Sequence, residues 1–164
     1  MLNQSNQNDS PFAFKIRVRV CGVLKENDRI LLLKHMGIGP ANFLWSPPGG
    51  GVEFGESMEN TLIKEFLEET NLNISVDQYL FANEHIDSKH HAVEHFYKVS
   101  RVSGELKVGF DPELDSSNQI IKEAKFFDKS ALDALKKATI HSSFLIAKSR
   151  DKIDDLRGLI TFKA

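Results

Sequence analysis

The sequence is poor in the residues on which several classes of protein depend. It has one cysteine, Cys21, which excludes a disulfide framework and a zinc site built from four cysteines. No stretch approaches the roughly 20 apolar residues that a membrane-spanning helix needs. With 21 Lys and Arg against 23 Asp and Glu, the chain also lacks the basic excess expected of a protein that binds long nucleic acid or an anionic membrane.

What remains is the composition of a soluble globular protein, with 41% hydrophobic and 27% charged residues. Residues 1–11 are polar and have no apolar segment of the kind found in secretory signals, so we predict a disordered N-terminal tail there. No repeat or low-complexity linker divides the rest, which we predict to be a single domain over residues 12–164. The lone cysteine and the lack of an export signal indicate a reducing, cytoplasmic location.

Strand and helix patterns alternate along this domain. Short apolar runs bounded by turn residues predict strands over residues 16–24, 29–34, 79–86, 93–102 and 120–127. Helical patterns predict helices over residues 57–70, 129–137 and 142–152. Two prolines and three glycines at 47–51 predict a break that no helix and no central strand crosses. The interleaving predicts the α/β class, a mixed sheet with helices packed on it.

The helix predicted over residues 57–70 concentrates negative charge. At about 100° per residue, Glu65, Glu68 and Glu69 share one face of this helix, at the edge of its apolar stripe. Like charges at these spacings destabilise a helix, so the pattern indicates a compensating cation. Mg²⁺ suits such a face because it prefers carboxylate oxygens and retains waters or substrate phosphates around it. An acidic surface patch is the alternative that the helix alone leaves open.

The loop before the helix favours a cation site over an acidic surface patch. Pro48-Gly49-Gly50-Gly51 lets the backbone approach a ligand closely, and its carbonyl oxygens can join the carboxylates as ligands. A glycine cluster by itself is weak evidence, but a cluster at a fixed distance from an E-x-x-E-E helix is a specific pattern.

This loop and helix resemble the Nudix box, G-x5-E-x7-R-E-U-x-E-E-x-G-U, in which U is a bulky aliphatic residue. The corresponding residues are, in order, Gly50, Glu56, Lys64, Glu65, Phe66, Glu68, Glu69, Asn71 and Leu72. The lead-in Trp45-Ser46-Pro47-Pro48-Gly49-Gly50 matches the W-x-x-P-G-G that often precedes the box. Three positions depart from the pattern, because Lys64 replaces arginine, Phe66 replaces an aliphatic residue and Asn71 replaces glycine. Lysine keeps the charge but loses the planar fork of arginine.

The resemblance implies a Nudix-like α/β/α sandwich and metal-dependent hydrolysis of a nucleoside diphosphate linked to another moiety. Water would attack phosphorus, and Mg²⁺ or Mn²⁺ would neutralise the diphosphate and activate the water. Lys64 would position the acids, and Glu56 would support the loop or an outer shell of the metal. The metal ligands that the resemblance implies are a backbone carbonyl of Gly49 or Gly50 and the side chains of Glu65, Glu68 and Glu69.

The general base stays open at this stage. The family places it either in the box helix, here Glu65 or Glu69, or on a later loop. On the loop predicted over residues 109–118, the candidate is Glu113. An ordinary turn acid is the alternative interpretation of Glu113.

Residues that contact the nucleotide are predicted less directly. For the aromatic candidates the alternative is core packing, and for the polar ones it is solvation. The substrate-binding candidates are Lys34, Phe43, Trp45 and His91. Four histidines surround one predicted hairpin and form either a transition-metal site or a polar loop: His85, His90, His91 and His95.

The region after the box lacks the proline and the tyrosine that mark ADP-ribose and dinucleoside-polyphosphate cleavage in subgroups of the family. We expect a small soluble nucleotide as substrate, such as ADP-ribose or a modified nucleoside triphosphate, and neither long nucleic acid nor a membrane as partner. A homodimer would resemble common family behaviour. The alternatives are a Nudix-fold nucleotide sensor without catalysis, which Lys64 alone favours, and a purely structural acidic helix.

Overall fold

The computed structural model describes residues 13–109 and 119–163. Its strands are β1 (Ile16–Glu26), β2 (Arg29–Met36), β3 (Phe43–Ser46), β4 (Gly49–Gly51), β5 (Asn73–Ile86), β6 (His91–Ser103), β7 (Ile121–Phe127) and β8 (Gly158–Lys163). Its helices are α1 (Met58–Thr70), α2 (Lys129–Ala134) and α3 (Ser143–Ile146), and two 3₁₀ turns span Lys137–Thr139 and Arg150–Asp155. In these two described ranges, no helix is long and apolar enough to cross a membrane.

Strand β1 joins two parts of a mixed sheet because its pairing changes along its length. From Ile16 to Leu24 it runs parallel to β6, whereas Lys25 and Glu26 pair antiparallel with β2. The short strand β4 pairs with β1, and β5 and β8 continue the sheet beyond β6. On the other side, β3 and β7 flank β2. The mixed sheet of the predicted α/β class is therefore confirmed.

Helices cover both faces of this sheet. On one face, Leu62 and Phe66 of α1 pack in a core with Val20, Leu24 and Leu31 of the strands. On the other face, side chains from α2, α3 and the second 3₁₀ turn close a larger core. The two layers of helix around one sheet are the α/β/α sandwich that the sequence predicts.

Helix α1 begins and ends where the sequence predicts. The Ser57 Oγ accepts a hydrogen bond from the Asn60 backbone N–H at 3.2 Å and caps the N-terminus. Asn71 takes the left-handed conformation, with φ of 59°, and its N–H donates to the Leu67 carbonyl at 3.0 Å. Asparagine therefore keeps the backbone conformation at the position where the Nudix pattern has glycine.

The C-terminal helices are shorter than the sequence predicts. Helix α2 ends at Ala134 instead of residue 137, and the helix predicted over residues 142–152 is reduced to α3 and a separate 3₁₀ turn. Tertiary packing overrides helical propensity in this segment. The side chains that dock it on the core are Ile140, Phe144 and Ile153.

Three strands, β3, β4 and β8, were not predicted. Strand β8 runs parallel to β5, with Gly158 opposite Phe81 at its start. Strand β4 lies inside the stretch 47–51, but it is three residues long and β1 is its one partner among the described strands. The prediction that no helix and no central strand crosses this stretch is therefore correct. The tail predicted over residues 1–11 lies outside the described residues.

Candidate functional site

Strand β4 forms the centre of the candidate site. Its three glycines pair with residues 19–21 of β1 in antiparallel register. Gly49 and Gly50 are buried, and the loop that follows them leads directly into α1. Because glycine has no side chain, groups on either face of β4 can lie close to its backbone.

Two glutamates of α1 lie against this strand. The Gly49 N–H donates a hydrogen bond to Oε2 of Glu69 at 2.9 Å. A Cβ added at Gly50 would lie 2.1 Å from Oε1 of Glu65, and one added at Gly49 would lie 1.9 Å from the Val20 carbonyl oxygen. Both positions therefore require glycine, and the carboxylates of Glu65 and Glu69 both contact the glycine strand.

Other residues of the box contribute unequally to this arrangement. Glu68 is half-buried on the same helix as the two contacting glutamates. Oε2 of Glu56 accepts a hydrogen bond from Oγ1 of Thr61 at 3.1 Å and so ties the loop to the first turn of α1. Lys64 is exposed and forms no ion pair with a glutamate of the described residues. Support of the loop by Glu56 is thus visible, whereas the positioning role of Lys64 stays a prediction.

The oxygen atoms around β4 suit a hard divalent cation. Carboxylates of Glu65 and Glu69 and the backbone carbonyls of β4 are hard donors, which Mg²⁺ and Mn²⁺ prefer. Within residues 13–109 and 119–163, no three His, Cys, Asp or Glu side chains converge into a complete cage. The absence of such a cage from these ranges fits Mg²⁺, which keeps waters and substrate phosphates among its ligands.

A second cluster of charged side chains lies on the sheet face away from α1. Nε of Arg19 on β1 lies 3.6 Å from Oε1 of Glu94 on β6. Oε2 of Glu94 accepts a hydrogen bond from Nδ2 of Asn83 at 3.0 Å and lies 2.9 Å from Nε2 of His141. Burial alone would raise the pKa of Glu94, but His141, Arg19 and Asn83 together lower it to about 2. Glu94 is therefore an ionised carboxylate at neutral pH.

Cys21 lies between the two clusters. Burial raises the pKa of its thiol above the usual range, and Glu94 raises that pKa further while Arg19 opposes the shift. The carboxylates of Glu69 and Glu65 raise the pKa as well, so both clusters act on the same buried atom. Cys21 is a neutral, buried side chain and has no character of a nucleophile.

His35, at the end of β2, is a buried neutral imidazole. It is 7% exposed, and its Nε2 has no hydrogen-bond partner among the described residues. Burial lowers its pKa from 6.5 to about 4, and the positive charge of Arg19 and the neighbouring His141 contribute to this shift.

Three of the predicted substrate-binding residues line a groove that contains none of the box glutamates. Nζ of Lys34 pairs with Glu123 at 2.8 Å and lies 5.0 Å from the ring centroid of Phe43. Trp45 is 4% exposed and packs edge-on against Phe127, so its ring belongs to the core. The groove has a volume of about 460 Å³, and its lining includes Lys34, Phe43, Trp45 and Glu123.

The histidines at the hairpin between β5 and β6 pair with acids. Nε2 of His91, the fourth predicted substrate-binding residue, lies 2.9 Å from Oε1 of Glu84. His85 and His90 both contact Asp87. Burial would raise the pKa of Asp87, but backbone N–H groups and the two imidazoles hold it well below its usual range. His85 lies at the end of β5, His91 at the start of β6 and His90 in the turn between them, and each has a carboxylate as its partner.

Sequence reasoning did not identify the second cluster. The sequence around Glu94 indicates a buried partner, because a lone acid among apolar neighbours in a strand needs one. Its partners could not be found from the sequence, since β1, β5 and the segment before α3 each supply one of them. Glu113, the candidate base on the later loop, lies outside the described residues.

Comparison with known proteins gives matches over most of the chain. A family model described as the NUDIX domain matches residues 13–147. A protein named ADP-ribose pyrophosphatase from Methanocaldococcus jannaschii is 32% identical over 120 residues, which cover 72% of this chain and 65% of that protein. A putative 8-oxo-dGTP diphosphatase from Bacillus subtilis is 43% identical over 54 residues, 33% of this chain and 34% of that protein. The chain thus spans less than two thirds of the length of either relative.

Solved structures give the same result for the fold. The crystal structure of a MutT NUDIX hydrolase from Burkholderia pseudomallei matches with a TM-score of 0.63 and 28% identity, over 78% of this chain and 92% of that one. A NUDIX hydrolase from Nitrosomonas europaea matches with a TM-score of 0.60 and 24% identity, over 76% of this chain and 80% of that one. The sandwich of this chain therefore has the architecture of these proteins.

Proposed function

The chain belongs to the Nudix family, and on that premise we propose that it hydrolyses the diphosphate bond of a nucleoside diphosphate linked to another moiety. The observation that carries this proposal is the contact of two glutamates with the glycine strand. Gly49 donates to Glu69 at 2.9 Å, and the carboxylate of Glu65 occupies the space beside Gly50. Carboxylates crowded at i,i+4 repel each other, and this cost is offset when a cation binds between them and the substrate.

The proposed cofactor is Mg²⁺ or Mn²⁺. Such a cation, when bound, neutralises the diphosphate and lowers the pKa of a bound water. The residues that would hold it are Glu65, Glu68 and Glu69, with a backbone carbonyl of Gly49 or Gly50.

Positioning is the main task of the chain's own residues. The hydrogen bond from Gly49 fixes the orientation of the Glu69 carboxylate, and the bond from Thr61 to Glu56 fixes the loop before α1. The water oxygen forms a new bond to phosphorus as the anhydride P–O bond breaks. A carboxylate accepts the proton of this water, and the leaving phosphate carries away the bonding electron pair.

The proton acceptor is Glu65, Glu69 or Glu113. One substitution distinguishes a base on the later loop from a base on α1. If Glu113 is the base, Glu113→Gln lowers kcat while the dissociation constant for Mn²⁺ stays that of the wild type. Unchanged turnover in this variant assigns the base to α1.

An ADP-ribose-like nucleotide is the first substrate candidate. The relative named ADP-ribose pyrophosphatase aligns over 72% of the chain, whereas the relative named for 8-oxo-dGTP aligns over 33%. A modified nucleoside triphosphate is accordingly the second candidate. The net charge of −2 supports a small nucleotide over long nucleic acid as the partner. A homodimer is proposed from the family resemblance alone, and sedimentation equilibrium tests it.

A hydrolysis panel tests the proposed function. It includes ADP-ribose, nucleotide sugars, dinucleoside polyphosphates and normal and oxidised nucleoside triphosphates, each with Mg²⁺ and with Mn²⁺. We expect metal-dependent cleavage of at least one member, which falls by about 10- to 100-fold in Glu68→Gln because a metal-holding carboxylate is lost. A chain that cleaves nothing but melts at a higher temperature with one nucleotide and metal is a sensor, and Lys64→Arg is then the first reversion to make.

A further inference from the structure

Two arginines of β1 lie beside β4 on the face away from Glu65. Arg17 and Arg19 are two residues apart on a strand, so their side chains share a face. Arg19 is in register with Gly51, and a Cβ added at Gly51 would lie 3.1 Å from Nη2 of Arg17. A Cβ added at Gly50 would instead meet Glu65. The acids and the arginines therefore face opposite sides of the same three-residue strand.

The two guanidinium groups repel each other in a partly buried setting. Burial lowers the pKa of Arg17 and the charge of Arg19 lowers it further, while Glu94 and Glu53 act in the opposite direction. Two cations held this close cost free energy, and an anion that binds both offsets that cost. Glu94 and Glu53 supply negative charge to this pair, and Glu94 also contacts His141.

Arg19 forms an ion pair with Glu94 on the side of its Nε. Its Nε lies 3.6 Å from Oε1 of Glu94, and its side chain is 26% exposed. Glu94 is in turn fixed by Asn83 at 3.0 Å and by His141 at 2.9 Å. The two terminal nitrogens of a guanidinium form a fork that matches two oxygens of one phosphate.

We propose that Arg17 and Arg19 bind phosphate oxygens of a nucleoside diphosphate on this face of β4, and that Glu94 and His141 are positioning residues for Arg19. The inference rests on the proposed hydrolase function. With one phosphate at the acids and the other at the arginines, the diphosphate lies across β4.

Binding of α,β-methylene-ADP tests the arginine pair, because its diphosphate cannot be hydrolysed at that bridge. Calorimetry in EDTA removes any contribution of a metal. We expect Arg17→Gln and Arg19→Gln each to raise Kd about tenfold or more, since each loses charge-assisted hydrogen bonds. Arg19→Lys keeps the charge without the fork and is expected to fall between Arg19→Gln and the wild type. Arg29→Gln, an exposed arginine at the far end of the β1–β2 hairpin, is the control and keeps the wild-type Kd.

The positioning role of Glu94 needs a separate measurement. Glu94→Gln can keep a hydrogen bond to Asn83 but loses the charge that orients Arg19, so KM is expected to rise more than kcat falls. In the double variant Arg19→Gln/Glu94→Gln, we expect an increase in KM that is smaller, in free energy, than the sum of the increases in the two single variants. A lower melting temperature with an unchanged KM would show a structural role alone and overturn this part.

The outcomes separate this inference from the proposed function. A wild-type Kd in both arginine variants, or no binding by the wild-type chain, overturns the anion site. Binding that is lost in both arginine variants, in a chain that hydrolyses no nucleotide, supports the anion site and contradicts the hydrolase. Hydrolysis with an unchanged KM in both variants supports the hydrolase and overturns the anion site.

Discussion

At the scale of single residues, glycine sets how closely the carboxylates of α1 approach β4. Gly50→Ala places a methyl group 2.1 Å from Oε1 of Glu65. We expect displacement of this carboxylate and a fall in kcat of about a hundredfold, because a shift of about 1 Å has effects of that order. Gly37→Ala is the control, since nothing lies within 4 Å of its added methyl. Equal kcat values for the two variants would contradict the assignment.

Gly22 explains how a phenylalanine occupies position 66, where the Nudix pattern has an aliphatic residue. A Cβ at Gly22 would lie 2.4 Å from Cε2 of the fully buried Phe66 ring. Gly22→Ala is expected to lower the free energy of unfolding in urea by about 1–3 kcal/mol through overpacking. Adding Phe66→Leu should recover part of this loss. If the losses in free energy of unfolding of the two single variants simply add in the double variant, the explanation is contradicted.

His35 makes stability depend on pH in a defined window. Its folded pKa of about 4 lies below its usual 6.5, so below pH 6.5 the unfolded chain binds the proton first. Above pH 6.5, His35 is neutral in both states and does not lower the free energy of unfolding. As the pH drops towards 4, the free energy of unfolding falls by about 3 kcal/mol in all. His35→Gln removes this titration, and urea denaturation between pH 7 and pH 4 measures the difference. An equal pH dependence in both proteins would refute the assignment.

At the scale of elements, the caps of α1 fix where the acidic face begins. Ser57→Ala removes the hydroxyl that accepts from the Asn60 N–H, and we expect it to lower the free energy of unfolding by about 1 kcal/mol. Ser142→Ala is the matched control, because Ser142 precedes α3 and makes no capping hydrogen bond with its side chain. Equal losses in thermal denaturation would show that the cap is not what stabilises α1.

The same local chemistry explains which elements could be predicted. Ser57 and Asn71 mark the ends of α1 within the helix's own sequence, so its bounds follow from a short window. The segment after α2 has no such marks, and its path depends on Ile140 and Phe144 reaching the core. Strand β8 forms through pairing with β5, a partner more than 70 residues earlier, and no short window contains that information.

At the scale of the whole molecule, one half of the site is local in sequence and the other half is not. The glycines and glutamates fall within residues 45–72, so a motif identifies them. Arg19, Glu94 and His141 come together only through the pairing of β1 with β6 and the docking of the C-terminal segment. Trp45 illustrates the same limit, because its residue type suits both a nucleotide pocket and a core, and only the structure shows that it packs against Phe127 while also lining the groove.

The proposed hydrolysis depends on a cation bound by the glutamates at the glycine strand. The most direct measurement is the rate of ADP-ribose cleavage as Mg²⁺ or Mn²⁺ is titrated into the wild type, Glu69→Gln and Glu59→Gln. Glu69 contacts Gly49, whereas Glu59 lies exposed in the first turn of the same helix. We expect saturable metal activation that Glu69→Gln loses and Glu59→Gln keeps. Cleavage that persists in EDTA, or an equal loss in both variants, would contradict it.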